Sequence, residues 1–77
     1  MITREQCRAA RALIEWSRAE LAEAAQVSER TITDFERGAR SPINASLAAL
    51  TRALESGGVE FISENGGGPG VRLVKAS

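Results

Sequence analysis

Histidine is absent from the 77-residue sequence, and cysteine occurs once. Without histidine, Ser-His and Cys-His catalytic arrangements and the usual zinc ligand sets cannot be assembled within one chain. A single cysteine cannot form an internal disulfide, which favours a reducing, cytoplasmic setting. We therefore expect a protein that is not an enzyme and that needs neither a metal nor a cofactor.

Aromatic residues and long apolar runs are also scarce. The chain has three aromatic residues, and its N-terminus is charged, without the hydrophobic region of a signal peptide. A chain of this size buries only about 60% of its unfolded surface, which leaves room for one modest core. We expect one small cytoplasmic domain with no membrane segment and no small-molecule effector.

Net charge is absent too, because ten basic residues balance ten acidic ones. The type of basic residue is more informative, since nine of the ten are arginine and seven of these lie in residues 4–40. Arginine suits bidentate contacts with phosphates and base edges. The same stretch holds seven acidic residues, so the arginines are equally compatible with ordinary solvated helix charges.

Composition divides the chain into two parts. Residues 1–56 are rich in Ala, Leu, Arg and Glu and contain one glycine, which favours helices. Residues 57–77 hold the other six glycines and two short apolar runs around a glycine-rich turn, which predicts a β-hairpin. The predicted fold is mainly α, a compact helical domain at 1–56 with a C-terminal β-hairpin tail at 57–77.

Capping residues predict where the helices begin. Thr3 and Ser17 each stand three residues before Gln or Glu, as in a capping box, and Ser28 offers a third N-cap. Gly38 suits the left-handed position after a helix. The predicted helices cover residues 4–14, 18–25 and 29–37, with a fourth after Pro42. The residues expected to face inward are Cys7, Ala10, Leu13, Ile14, Leu21, Ala22, Ala25, Val27, Ile32, Phe35, Leu47, Leu50 and Leu54.

Only two residues separate the second helix from the cap of the third, and so short a connection predicts a helix-turn-helix. The outer side of the third helix is polar and suits a DNA major groove. Arg30 can donate two hydrogen bonds to guanine, Glu29 can accept one from cytosine, and Thr33 can contact a thymine methyl or a phosphate. Asp34 fits only beside cytosine or a neighbouring arginine. The alternative from this pattern alone is a solvated amphipathic helix in a small bundle.

Four segments stand in a characteristic order and spacing: residues 17–22 (SRAELA), 27–33 (VSERTIT), 36–42 (ERGARSP) and 47–50 (LAAL). Together they resemble the lambda-repressor-like (Cro/C1, XRE-type) helix-turn-helix family, over about residues 7–54. The resemblance implies a compact four-helix domain that binds double-stranded DNA. Family members often carry Gln where this chain has Arg18. They also often carry Gly where this chain has Glu15, and we therefore expect the first helix to end less sharply here.

The resemblance also implies roles for individual residues. Arg11 and Glu36 match a structural pair that braces the third helix against the scaffold. Residues expected at base edges are Ser28, Glu29, Arg30, Thr33 and Asp34. Residues expected at phosphates are Arg18, Thr31, Arg37 and Arg40.

The apolar tail suggests association between copies. An isolated two-stranded hairpin is marginal in water, and its free edges favour pairing with another chain. We expect a homodimer whose contact residues are Val59, Phe61, Ile62, Val71 and Leu73. A two-fold dimer would present its recognition helices to half-sites about 34 Å apart, or a multiple of that spacing. The alternative is a hairpin folded onto its own core.

The resulting hypothesis is a bacterial-type, sequence-specific DNA-binding transcriptional regulator, most simply a dimeric repressor. The alternative comes from a different class: a protein-interaction module such as the antitoxin-like half of a two-protein pair, motivated by the apolar hairpin and the neutral charge. An antitoxin-like protein can also bind its own operator, so the two hypotheses are compatible.

Overall fold

The computed structural model describes residues 2–74, and its elements follow the predicted order. The prediction of a mainly α fold with four helices and a C-terminal hairpin is confirmed. The third helix ends at Glu36, one residue earlier than predicted. The elements are α1 (Arg4–Ile14), α2 (Arg18–Ala25), α3 (Glu29–Glu36), α4 (Asn44–Ser56), β1 (Val59–Ile62) and β2 (Gly70–Leu73).

The helix ends follow from local chemistry. Both capping boxes are formed: Thr3 accepts a hydrogen bond from the Gln6 N–H, and Ser17 accepts one from the Glu20 N–H. Gly38 has φ +77° after α3, the left-handed conformation that glycine favours.

The end of α1 corrects one expectation. Glu15 adopts the left-handed conformation, with φ 57° and ψ 37°, and the Trp16 N–H donates to the carbonyl of Arg11. This is the backbone conformation that a glycine would favour at that position. The helix therefore ends as sharply with Glu15 as it would with glycine, and the expectation of a less sharp end was wrong.

The core lies between the four helices and one face of the hairpin. Leu21, Ile32, Leu50 and Leu54 have no exposed surface, and Cys7 and Ala10 of α1 are equally buried. Leu13 was expected to face inward but is 40% exposed. Cys7 and Ala10 mark the side of α1 that faces the core. Ile14, one helical turn after Ala10, packs against the core on the same side, whereas Leu13 does not.

The hairpin is packed on the helical part of the chain. Its strands pair antiparallel, with Val59 opposite Leu73 and Phe61 opposite Val71. The Gln6 amide of α1 donates to the carbonyls of Ile62 and Gly70, at 3.2 and 2.9 Å. The hairpin therefore packs on the helices of its own chain, with contacts to α1 and α4.

Packing of the hairpin corrects part of the predicted dimer surface. Val59 is only 2% exposed and belongs to the core, so it has no surface to offer a second copy. Phe61 and Val71 are half-buried against that core. Leu73 is 54% exposed, and Ile62 lies on the opposite face of the sheet from Phe61.

The glycine-rich turn is organised by one side chain. The Glu64 carboxylate accepts hydrogen bonds from the N–H groups of Gly66 and Gly68, at 2.9 and 2.8 Å. These two glycines have φ of +101° and +85°, which residues with a Cβ rarely adopt. The Glu64 carboxylate therefore occupies these two backbone N–H groups of the turn. Within residues 2–74, no helix is both long enough and apolar enough to span a membrane.

Candidate nucleic-acid interface

The turn between α2 and α3 is tight. Gln26 ends α2 in the left-handed conformation, and the N–H of Val27 donates to the carbonyl of Ala22. Ser28 then caps α3 by accepting from the Thr31 N–H at 3.0 Å. Its hydroxyl also lies 2.7 Å from the Thr31 hydroxyl. The geometry of a helix-turn-helix thus arises from the left-handed Gln26 and the cap Ser28, with only Val27 between them.

Most residues predicted at base edges lie at the start of α3 and are accessible. Ser28, Glu29 and Arg30 are exposed, whereas Thr33 and Asp34 are half-buried. The Thr33 hydroxyl donates to the carbonyl of Glu29 at 3.1 Å, so its proton is already used within the helix. The Arg30 side chain is 86% exposed, and its Nε lies 3.4 Å from the Asp34 carboxylate.

A cleft of about 330 Å³ runs beside α3. It brings together two predicted base-edge residues, Arg30 and Asp34, with two predicted phosphate residues, Thr31 and Arg40. The segment before α4 and the first turn of α4 form the other wall. These residues were not identified as part of the site from the sequence, because the connection after Gly38 is irregular and carries no periodic signal. They are Ser41, Pro42, Ile43 and Ser46.

The other two predicted phosphate residues lie outside this cleft. Arg37 is exposed at the end of α3. Arg18 is the first residue of α2, and its Nε donates to the Glu36 carboxylate at 3.1 Å. The Arg18 side chain is 37% exposed, so it contacts the buried Glu36 carboxylate and is also partly accessible to solvent.

Glu36 is the centre of a buried polar network. Arg11 donates two hydrogen bonds to its carboxylate, from Nε at 2.8 Å and from a terminal nitrogen at 2.7 Å. The Cys7 thiol donates to the same carboxylate at 3.2 Å. With Arg18, this gives four donors from α1 and α2 on a carboxylate of α3 that has no exposed surface. Arg11 also donates to the carbonyl of Trp16 at 3.0 Å.

The network shifts the titration of its members. Burial by itself would raise the pKa of the Glu36 carboxyl, but hydrogen bonds from Arg11, Cys7 and Arg18 outweigh burial and hold that pKa below its ordinary value. Burial, reinforced by the neighbouring Glu36 carboxylate, raises the pKa of the Cys7 thiol to about 12. Glu36 is therefore ionised and Cys7 is a neutral thiol at physiological pH.

Sequence reasoning identified the Arg11 and Glu36 positions only through the resemblance, and it missed the two further donors. Cys7 was interpreted as a small core residue and Arg18 as a phosphate contact, without a common partner. Glu36 is 29 positions from Cys7 and 18 positions from Arg18 in the sequence, and no local sequence pattern indicates contacts over such separations. The network fixes the orientation of α3 relative to α1 and α2.

Metal chemistry finds no support in the part of the chain described, because residues 2–74 contain no group of three or more His, Cys, Asp or Glu side chains placed to hold an ion. Comparison with proteins of curated function found no match. The family described as the helix-turn-helix domain matches residues 3–61, which include all four helices and most of β1. Helix-turn-helix domains bind DNA with their second helix in the major groove. The chain therefore belongs to the helix-turn-helix domain family.

Proposed function

We propose that this protein is a sequence-specific DNA-binding transcriptional regulator that acts as a dimeric repressor. One observation carries the proposal. The polar face of α3 and the segment before α4 converge on one cleft that holds Arg30, Thr31, Asp34 and Arg40. Base-reading and phosphate-binding side chains must lie side by side in this way, because phosphate contacts set the register in which base contacts operate.

The proposed contacts follow from the chemistry of each side chain. Arg30 donates to the O6 and N7 of a guanine, and Glu29 accepts from the N4 group of a cytosine. Ser28 and Thr33 supply the smaller contacts at the same face. Phosphates are bound by four residues around this face: Arg18, Thr31, Arg37 and Arg40.

Repression by occlusion is the simplest action of such a domain. A protein that occupies its operator blocks access to it, and this requires no chemistry beyond the DNA contact itself. Repression by occlusion requires no catalysis, which agrees with the absence of histidine from the sequence. The proposal therefore assigns no enzymatic activity to the chain.

The proposed dimer uses the exposed end of the hairpin. Leu73 is an exposed large apolar residue at the end of β2, and the two-stranded sheet has no strand beyond β2 within residues 2–74. An unpaired edge of this kind favours pairing with another chain. A two-fold arrangement would place two copies of α3 at half-sites about 34 Å apart or a multiple of that spacing.

The experiment is selection of binding sites from randomised duplex DNA with the purified protein at near-physiological salt. We expect enrichment of an inverted repeat containing guanine at a fixed position in each half. Arg30→Ala should lose that guanine preference and bind the selected site about tenfold or more weakly, which corresponds to the loss of one bidentate base contact. Enrichment of no sequence would contradict the proposal and favour the protein-interaction module.

The dimer is tested separately by sedimentation of the full-length Leu73→Lys variant. The expected result is a shift from dimer to monomer while the helical circular dichroism is unchanged. Deletion of the whole tail is a poor test, because it would remove Val59 from the core. A dimer that survives Leu73→Lys would place the interface elsewhere.

A further inference from the structure

We propose that Asp34 is a positioning residue for Arg30, and that it contacts no base itself. This inference rests on the proposed function and refines it, because Asp34 was placed among the base-edge residues. In this arrangement the Asp34 carboxylate holds the Nε end of the Arg30 guanidinium. The two terminal nitrogens are then presented together to one guanine.

The two side chains lie one helical turn apart on α3. Arg30 Nε is 3.4 Å from Asp34 Oδ2, and the residues stand in an i,i+4 relation that brings their side chains together. Their exposure is very different, at 86% for the Arg30 side chain and 23% for that of Asp34. Asp34 is thus the anchored member of the pair, and Arg30 is the member that extends into solvent.

The backbone at Asp34 is held by the segment that follows α3. Its carbonyl accepts hydrogen bonds from the N–H groups of Ala39 and Arg40, at 2.8 and 3.3 Å. These bonds tie the last turn of α3 to the segment that forms the other wall of the cleft. The backbone of Asp34 therefore has a fixed position relative to the cleft, and its half-buried side chain has less freedom than that of Arg30.

Guanidinium geometry explains what this contact leaves available. Arginine has five N–H donors in a planar fork, and contact through Nε leaves the four on the two terminal nitrogens. A guanine presents two acceptors, O6 and N7, to such a fork. Restricting a flexible arginine before binding reduces the ordering cost at the moment of contact.

The pairing also resolves an electrostatic difficulty. An isolated carboxylate close to DNA phosphates would be repelled, whereas one paired with arginine adds little net negative charge. Glu23 of α2 provides the contrast, because it is exposed and has no proposed contact with DNA. Glu23 is therefore the control for the removal of one negative charge.

The test compares Asp34→Asn with Glu23→Gln on the selected site and on the same site with the Arg30-dependent guanine replaced. Asp34→Asn removes a negative charge beside the DNA and should strengthen binding to unrelated DNA. Asp34→Asn should also lower the preference for that guanine by about threefold, in the range expected for one exposed ion pair. Glu23→Gln should leave the preference for that guanine unchanged.

The same comparison in an Arg30→Ala background separates positioning from direct contact. If Asp34 acts through Arg30, Asp34→Asn should have no further effect on base preference there. A preference that still changes would overturn the inference, because Asp34 would then contact a base itself. An unchanged guanine preference in the single variant would also overturn it, whereas failure of the parent protein to enrich any site would overturn the proposed function as well.

Discussion

Arg11 and Glu36 lie 25 residues apart in the chain, yet their side chains form a two-point ion pair with hydrogen bonds of 2.8 and 2.7 Å. The Glu36 side chain has no exposed surface, and that of Arg11 is 18% exposed. Breaking such a pair leaves an uncompensated buried charge, which is strongly destabilising. The pair therefore joins α1 to α3, and its removal should affect the whole fold.

Acid should destabilise the protein through Glu36. The pKa of its carboxyl is below the ordinary value of 4.5 in the folded chain, so the unfolded chain binds more protons in acid. The stabilisation is present above pH 4.5 and is lost as the pH falls through the lower pKa of the folded state. Urea denaturation at pH 7 and pH 3 should show this loss.

Glu36→Gln separates this effect from general acid unfolding. At pH 7 the variant should be less stable than the parent by about 3 kcal/mol, because Arg11 loses its charged partner. The difference in the free energy of unfolding between the parent and Glu36→Gln should become smaller as the pH falls below 4.5. The exposed Glu23→Gln control should follow the parent, and a difference for Glu36→Gln that is independent of pH would contradict the assignment.

Cys7 should be inert in the folded protein. Its thiol is buried and its pKa is raised to about 12, and only the thiolate reacts readily. Labelling with a chromogenic disulfide reagent at pH 8 should be complete in denaturant and negligible without it over the same time. Equal rates with and without denaturant would show that the thiol is accessible.

Glu15→Gly should stabilise the protein. Glu15 has φ 57°, a conformation that strains residues with a Cβ, and glycine removes that strain. The greater freedom of glycine in the unfolded chain offsets part of the gain, so we expect about 0.5 kcal/mol by thermal denaturation. The matched control is Glu23→Gly within α2, which should destabilise by about 1 kcal/mol. Destabilisation by both would mean that the Glu15 side chain makes a favourable contact.

Gln6→Glu should loosen the hairpin. The substitution keeps an acceptor for the Thr3 N–H but replaces the amide that donates to Ile62 and Gly70 with a carboxylate. Two carbonyls would then face a negative charge, at a cost of about 2 kcal/mol. Hydrogen exchange of the β1 and β2 amides should become faster. Gln26→Glu, at an exposed position, should change little, and equal effects of the two would contradict the role of Gln6.

Arg18→Ala should weaken binding to all DNA sequences by a similar factor. The proposed phosphate contact carries no sequence information, so base preference should be kept and the slope of log affinity against log salt should fall by about one. Arg52→Ala, beside the separate cleft between α2 and α4, is the control and should leave the slope unchanged. A changed base preference would show that the contact of Arg18 with Glu36 also sets the orientation of α3 on the duplex.

Local chemistry explains why the helix positions could be predicted. Thr3 and Ser17 both form the capping boxes that the sequence indicates, and Ser28 caps α3. Such contacts span three residues, so they are visible in the sequence. Glu15 shows the limit, because its side chain gives no sign of the left-handed backbone that the structure contains.

The candidate site was only partly predictable, because its contacts span long stretches of chain. The sequence indicated the polar side chains at the start of α3, and it did not indicate that Ser41 and Ser46 would face them across a cleft. Nor could it show that Gln6, predicted only as a cap, also holds a hairpin 56 residues away. Tertiary packing decides both points.

The buried carboxylate of Glu36 has a final consequence for recognition. Side chains of α1 and α2 both donate hydrogen bonds to this carboxylate of α3, so α3 has little freedom to rotate relative to the other two helices. Under the proposed function, the duplex must then supply whatever adjustment the complex needs. Operators should consequently differ in affinity according to how readily their central, uncontacted base pairs bend and twist.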